Sequence, residues 1–190
     1  MTKMLWNDDY LKEFAQRATS NPSITFWDFD DEDEVVFKQK QKRKFLTKFL
    51  PELGVRNLAM GNDAKDLPTS VLVFVRGNRC QEIAPTDLET ILKKVFSFMG
   101  DLGDELVGHV FTSSTLFNKT TLRTIADLYD RKPFVDTRNS AFRFFSNGWV
   151  EITKDGVSPL RMYGTIPDGH IVWNSTIIPR EYHDEETLDL

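Results

Sequence analysis

The stretch from Ser70 to Gly100, SVLVFVRGNRCQEIAPTDLETILKKVFSFMG, leaves the chain few ways to fold. A run rich in β-branched and aromatic residues meets Gly77-Asn78 and then a second short run of the same kind. That pattern predicts a hairpin with glycine at the first turn position. Thr86-Asp87-Leu88-Glu89 has the form of a capping box and predicts the start of a helix. Leu88, Ile91, Leu92, Val95, Phe96 and Met99 then recur on one helical face, and Gly100 closes it. A hairpin followed by an amphipathic helix cannot bury its own apolar surface. The rest of the chain must cover it, and 15 Phe and 4 Trp supply the means.

Upstream, Asn7 caps a predicted helix over Asp8 to Ala18, and Asn21-Pro22 breaks it. Ile24 to Phe29 and Val35 to Phe37 read as short strands. Residues 40–53 read as one helix, with Phe45, Leu46, Phe49, Leu50 and Leu53 inward, Pro51 near its end and Gly54 as its stop. Residues 57–69 read as a loop. Between 104 and 130, Leu106, Val107, Val110 and Phe111 suggest one short helix. Leu122, Ile125, Ala126, Leu128 and Tyr129 suggest another.

From 136 onward the periodicity changes to that of strands. Asn147-Gly148 and Asp155-Gly156 each favour the type I′ turn, which predicts a three-stranded meander. In the simplest register Phe145 faces Val150, Phe144 faces Glu151 and Arg143 faces Ile152. Asp168-Gly169 marks a further turn before a final strand pair. The expected fold class is α+β: a strand–hairpin–helix N-terminal part, a short helical middle and a C-terminal antiparallel β-meander. The expected division is an α/β portion over 1–135, the meander packed on it over 136–183, and an acidic tail or linker over 184–190.

Charge is unevenly distributed. The net charge of −5 argues against a basic body that binds nucleic acid over its whole surface. Residues 28–34, DFDDEDE, hold six acids, whereas residues 35–60 hold seven cations against one acid. Lys40, Lys44 and Lys48 lie four apart on the face opposite the apolar one, with Lys42, Arg43 and Thr47 beside them. These five cations, Lys40, Lys42, Arg43, Lys44 and Lys48, are the candidates for contacting phosphate. The alternative is an ordinary solvated helix face that the neighbouring acids neutralise. Arg143, Phe144 and Trp149, with Arg138 and Phe142, combine cations and aromatic rings on strands. They could stack unpaired bases, or simply pack a half-buried meander.

The familiar catalytic signatures fail. Gly103 and Gly108 have the spacing of a phosphate-binding loop, but His109 and Val110 stand where Lys and Ser or Thr are required. His109, His170 and His183 form no metal-hydrolase motif. The acidic run could hold a divalent cation, as in metal-dependent nucleic-acid enzymes, or be a solvated turn that partners the basic helix. No cofactor and no catalytic residue are expected. Cys80 is the single cysteine, which excludes an intramolecular disulfide and fits a reducing cytoplasm. The amphipathic, charged N-terminus has no signal-peptide core, and no apolar run approaches the roughly 20 residues of a membrane span.

Residues 130–182, DRKPFVDTRNSAFRFFSNGWVEITKDGVSPLRMYGTIPDGHIVWNSTIIPREY, resemble the region that precedes the ATPase in phage and poxvirus-type superfamily 3 primase–helicases. Asn147, Gly148, Val150, Glu151, Ile152, Thr153 and Gly156 match the hairpin of that family. Ile171, Trp173, Ile177, Ile178, Arg180 and Tyr182 match its later strands. The first half of the chain is similar more loosely. The ATPase motifs and recognisable primase acids are absent from the chain. The resemblance therefore implies a collar or linker domain: a platform beside the motor that positions single-stranded or forked DNA or helps ring assembly. Its expected partners are that DNA, the adjoining helicase ATPase domain and, in the full helicase, further copies of itself; its expected location is the host cell cytoplasm. The competing expectation is a free-standing phage protein-interaction module without DNA binding.

Overall fold

A computed structural model of the chain describes residues 4–62, 68–113, 116–125 and 131–183. It is a mixed α+β structure built as two compact units. One comprises Trp6–Phe74 and Glu82–Tyr129. The other comprises Met1–Leu5, Val75–Gln81 and Asp130–Leu190.

The first unit begins with α1 (Asp8–Ser20). Asn7 Oδ1 accepts the Tyr10 N–H at 3.0 Å, as expected of an N-cap. Leu11, Phe14, Ala15 and Ala18 are buried. Of the strand expected over 24–29, only β1 (Asp28–Phe29) forms; it pairs with β2 (Val35–Val36). Ile24, Phe26 and Trp27 instead serve the core from irregular backbone. Phe26 lies 4.8 Å from both the Phe45 and Phe49 rings, so aromatic packing holds this segment where a ladder was expected.

The helix expected over 40–53 is interrupted. It runs as α2 (Gln39–Lys44), a π-helical turn (Phe45–Phe49) and α3 (Leu50–Leu53), ended by Gly54 at φ 106°. Phe45, Leu46, Phe49, Leu50 and Leu53 are all buried. Pro51 is the second residue of α3, directly after the π-helical turn, and the helix continues through it to Leu53.

β3 (Val55–Asn62) follows and pairs antiparallel with β4 (Pro68–Arg76), with a bulge between Ala59 and Gly61. Residues 57–62, expected in a loop, are therefore strand; residues 63–67 of that expectation lie outside the described residues. The strongly β-prone 71–75 run recruits a partner of weak propensity. Asn57 is 3% exposed and satisfied: its Nδ2 donates to Leu122 O at 3.0 Å and Ile125 O at 2.9 Å.

β4 turns at Gly77-Asn78, with Gly77 at φ 60°, into β5 (Arg79–Glu82), and the chain passes between the units inside this hairpin. α4 (Pro85–Ser97) starts earlier than its capping-box pattern suggested. Ala84 is the N-cap, Pro85 opens the helix, and Asp87 rather than Glu89 reaches back, accepting the Ala84 N–H at 2.8 Å. α5 (Asp101–Phe111) contains both Gly103 and Gly108. A Cβ on Gly103 would meet Phe96 O, so this glycine allows α5 to pack against the end of α4. α6 (Lys119–Leu122) is a single turn; Ala126, Leu128 and Tyr129 lie outside the described residues.

The second unit adds β6 (Lys132–Pro133), β7 (Ala141–Phe145), β8 (Gly148–Thr153), β9 (Gly156–Val157) and β10 (His170–Trp173). β7, β8 and β9 form the expected antiparallel meander. Its register differs from the simplest one: Phe145 pairs with Gly148, Phe144 with Trp149 and Arg143 with Val150. The turn residues are Ser146 and Asn147, and Gly148 is already in the strand. A Cβ at Gly148 would lie 2.3 Å from Arg161 O, so close backbone approach, and not a type I′ turn, requires the glycine. At the next turn Lys154 and Asp155 are the tip, and Gly156 is paired at φ 129°. The Asp168-Gly169 turn forms, but no strand pair follows it. β10 lies parallel to β5 and to β6, and residues 174–176 are a 3₁₀ turn. Phe142, Phe144, Trp149, Ile166, Val172 and Ile177 form the core of this unit.

Candidate nucleic-acid interface

The five cations of the basic helix do not form one stripe. Lys40 Nζ lies 3.9 Å from Asp28 Oδ2, and Gln41 donates to the same carboxylate at 2.6 Å. Lys44 donates to Pro22 O at 2.8 Å. Lys40 and Lys44 are thus turned toward the 22–28 segment. Such contacts at the surface contribute little to stability, but they draw positive charge toward a carboxylate and a carbonyl. The acidic turn itself is locally organised. Asp30 Oδ1 accepts the Glu32 and Glu34 N–H groups, each at 3.0 Å, and Asp33 adopts φ 61°. Among the described residues no group of three or more His, Cys, Asp or Glu side chains could hold a metal ion.

Arg43 and Lys48 are exposed, and among the described residues neither side chain has an ion-pair partner. Positions 39, 43, 46 and 47 share a helical face that looks into a groove of about 550 Å³, closed on the other side by residues 116–124. Lys42 borders the groove. Its ammonium donates to Ser113 Oγ at 3.0 Å and sits 5.8 Å from the Phe37 ring centroid, which fixes its position and leaves two N–H donors. Thr120 and Thr121 line the opposite wall, and Leu46 and Leu116, 8% and 2% exposed, lie beneath. Among the described residues no carboxylate lines this groove, whereas Asp136, Asp155 or Glu151 lines each of three clefts in the second unit. The π-helical turn begins immediately after Lys44, so the groove wall is also where the helix departs from regular geometry.

The proposed stacking residues lie in the second unit. Phe144 and Trp149 are 7% and 3% exposed and belong to its core. Trp149 Nε1 donates to Met162 O at 3.2 Å, and the Arg161 guanidinium covers the indole at 4.9 Å, so neither ring offers a face to a base. Phe142 is likewise 8% exposed. Arg143 is exposed and held by Asp136 at 3.3 Å. The Phe142 N–H, bonded to Asp136 Oδ1 at 2.7 Å, holds that carboxyl below its usual range, with Arg143 assisting. Arg138, also exposed, borders an open cleft that Asp136 and Asp155 share.

The sequence pointed to the helix but not to its partners across the groove. Thr120, Thr121 and Thr124 carry no motif, and only the fold sets them opposite Arg43. Comparison with protein-family models, with curated proteins and with solved structures returns no match.

Among the described residues no helix is long and apolar enough to cross a membrane.

Proposed function

We propose that the chain is a non-catalytic accessory module of a DNA-replication helicase, which positions single-stranded or forked DNA beside the motor in the cytoplasm of a host cell. One observation carries the DNA contact. Arg43 stands exposed on the helix over 39–53 beside a groove that, among the described residues, holds cations and hydroxyls and no acid, and Lys48 is exposed on the same helix. Cations so placed neutralise phosphate without reading sequence. The resemblance of residues 130–182 to the region before the ATPase of phage and poxvirus-type primase–helicases supports the replication context. It also supports assembly, with the adjoining ATPase domain, into a homo-oligomeric ring. Fluorescence anisotropy with single-stranded, forked and duplex oligonucleotides is the test. Binding to the first two at low salt, weakened by Arg43→Glu with Lys48→Glu, is expected. Absence of binding, or indifference to both reversals, removes the DNA contact.

A second reading, a protein-interaction module without DNA binding, is favoured by exposed apolar side chains in the second unit. Val135, Val157 and Met162 are 63%, 53% and 66% exposed. Light scattering with a cognate ATPase separates the readings: tight association without any DNA affinity supports the second.

A further inference from the structure

The groove beside α2 has a more specific chemistry than the helix face as a whole. Its polar lining is dominated by donors. Arg43 brings a guanidinium with no acceptor among the described residues, and Lys42 keeps two ammonium protons after its bond to Ser113. Thr120 and Thr121 bring hydroxyls that make no hydrogen bond to protein among the described residues, and Gln39 adds a carboxamide. Thr47 and Thr124 spend their hydroxyl protons on Arg43 O and Thr121 O, at 2.9 and 2.7 Å, and are left as wall. A pocket with several donors, two cations and, among the described residues, no carboxylate suits an anion that accepts from several sides.

The volume leaves room for more than a bare small anion. About 550 Å³ is in the range of ligand clefts, several times what one phosphate fills. Leu46 and Leu116 supply apolar surface at the base of the same groove. A nucleotide unit combines these properties: a phosphate for the donors and a sugar with apolar edges for the leucines.

We infer that this groove is a discrete site for one nucleotide unit of a DNA strand, in which Arg43 and Lys42 hold the phosphate, Thr120 and Thr121 donate to its oxygens, and Leu46 and Leu116 carry the sugar. The inference rests on the DNA-positioning reading for its ligand, but it makes a separate claim about where the strand is held. Lys42 is pre-positioned by Ser113 and Phe37, and hydroxyls on a short side chain lose little freedom on binding, so the site is largely formed before the ligand arrives.

Amide chemical shifts of the full chain, followed during titration with inorganic phosphate, deoxythymidine monophosphate and a dT12 oligonucleotide, test the site. Saturable shifts in residues 39–47 and 116–124 are expected for all three, tightest for dT12 and extending to Lys48 with that strand. Arg43→Gln weakens dT12 by about tenfold or more, as loss of a charge-assisted bond does. Thr120→Val with Thr121→Val weakens it about threefold, and Lys44→Gln leaves it unchanged. All four positions are exposed or partly exposed, and an unchanged spectrum elsewhere confirms folding. Shifts for phosphate and the monophosphate with none for dT12 would keep the groove as an anion site and overturn its assignment to a DNA strand. Binding of dT12 that is indifferent to Arg43 and to both threonines would overturn the groove while leaving DNA binding standing.

Discussion

The carboxamide of Asn147 brackets the backbone of Tyr182: Nδ2 donates to Tyr182 O at 2.9 Å, and Oδ1 accepts the Tyr182 N–H at 3.0 Å. Ser146 N–H donates to Arg180 O at 3.0 Å, and the Phe145 and Tyr182 rings lie 5.0 Å apart. The hairpin tip thus pins a segment 35 residues later in the chain. In sequence, Asn147 reads as a turn residue; in the fold it is a clamp. Asn147→Ala removes both bonds and is expected to lower stability by about 1–3 kcal/mol. Asn147→Asp is expected to cost more, because a carboxylate cannot donate and would face the Tyr182 carbonyl. Urea titration of each variant gives the comparison, and an Asp variant as stable as wild type would refute the clamp.

Gly148 and Gly108 make a paired prediction. A Cβ on Gly148 would meet Arg161 O at 2.3 Å, whereas one on Gly108, exposed in α5, meets nothing within 4 Å. Gly148→Ala is expected to destabilise by about 1–3 kcal/mol through forced backbone displacement. Gly108→Ala is expected to stabilise by about 0.5–1 kcal/mol, since alanine is the better helix former. Thermal unfolding of the two variants reads opposite signs if the packing is correct.

Burial pushes the Cys80 thiol from 9.0 up to about 12, and pushes the Tyr163 hydroxyl, bonded to Phe145 O, from 10.0 up to about 12 against the pull of Arg79. Between the unfolded and folded values the native state keeps protons that the unfolded chain has lost. The associated stability is therefore fully present below about pH 9 and falls as pH rises toward 12. Two measurements check this. Native protein at pH 8 should react with a thiol reagent far more slowly than denatured protein. Cys80→Ala should flatten the first part of the alkaline decline. Fast native labelling would contradict the burial.

How far the sequence reveals this molecule depends on whether a signal is local. Helical spacing identified Phe45, Leu46, Phe49, Leu50 and Leu53 as inward although the turn that carries them is π-helical, because burial follows periodicity more than turn type. Gly77-Asn78 was legible for the same reason. The register at Gly148 was not, since the determining contact comes from Arg161, distant in sequence. Strand 57–62 was hidden because Asn57, Ala59, Gly61 and Asn62 have poor β-propensity, and pairing with β4 imposes the strand. Of the candidate site, the cations were visible as charge. The split that turns Lys40 and Lys44 toward 22–28 and Arg43 toward the threonines is tertiary, and no spacing rule encodes it.

The salt dependence of dT12 affinity tests the central claim most directly. Each phosphate contact contributes about 0.7 to the slope of log K against log salt for a single strand. Wild type is expected to bind with a slope that shows several contacts, and Arg43→Gln and Lys48→Gln are each expected to reduce it by roughly one contact. No measurable binding at low salt, or a slope that neither substitution changes, would contradict DNA positioning by this helix.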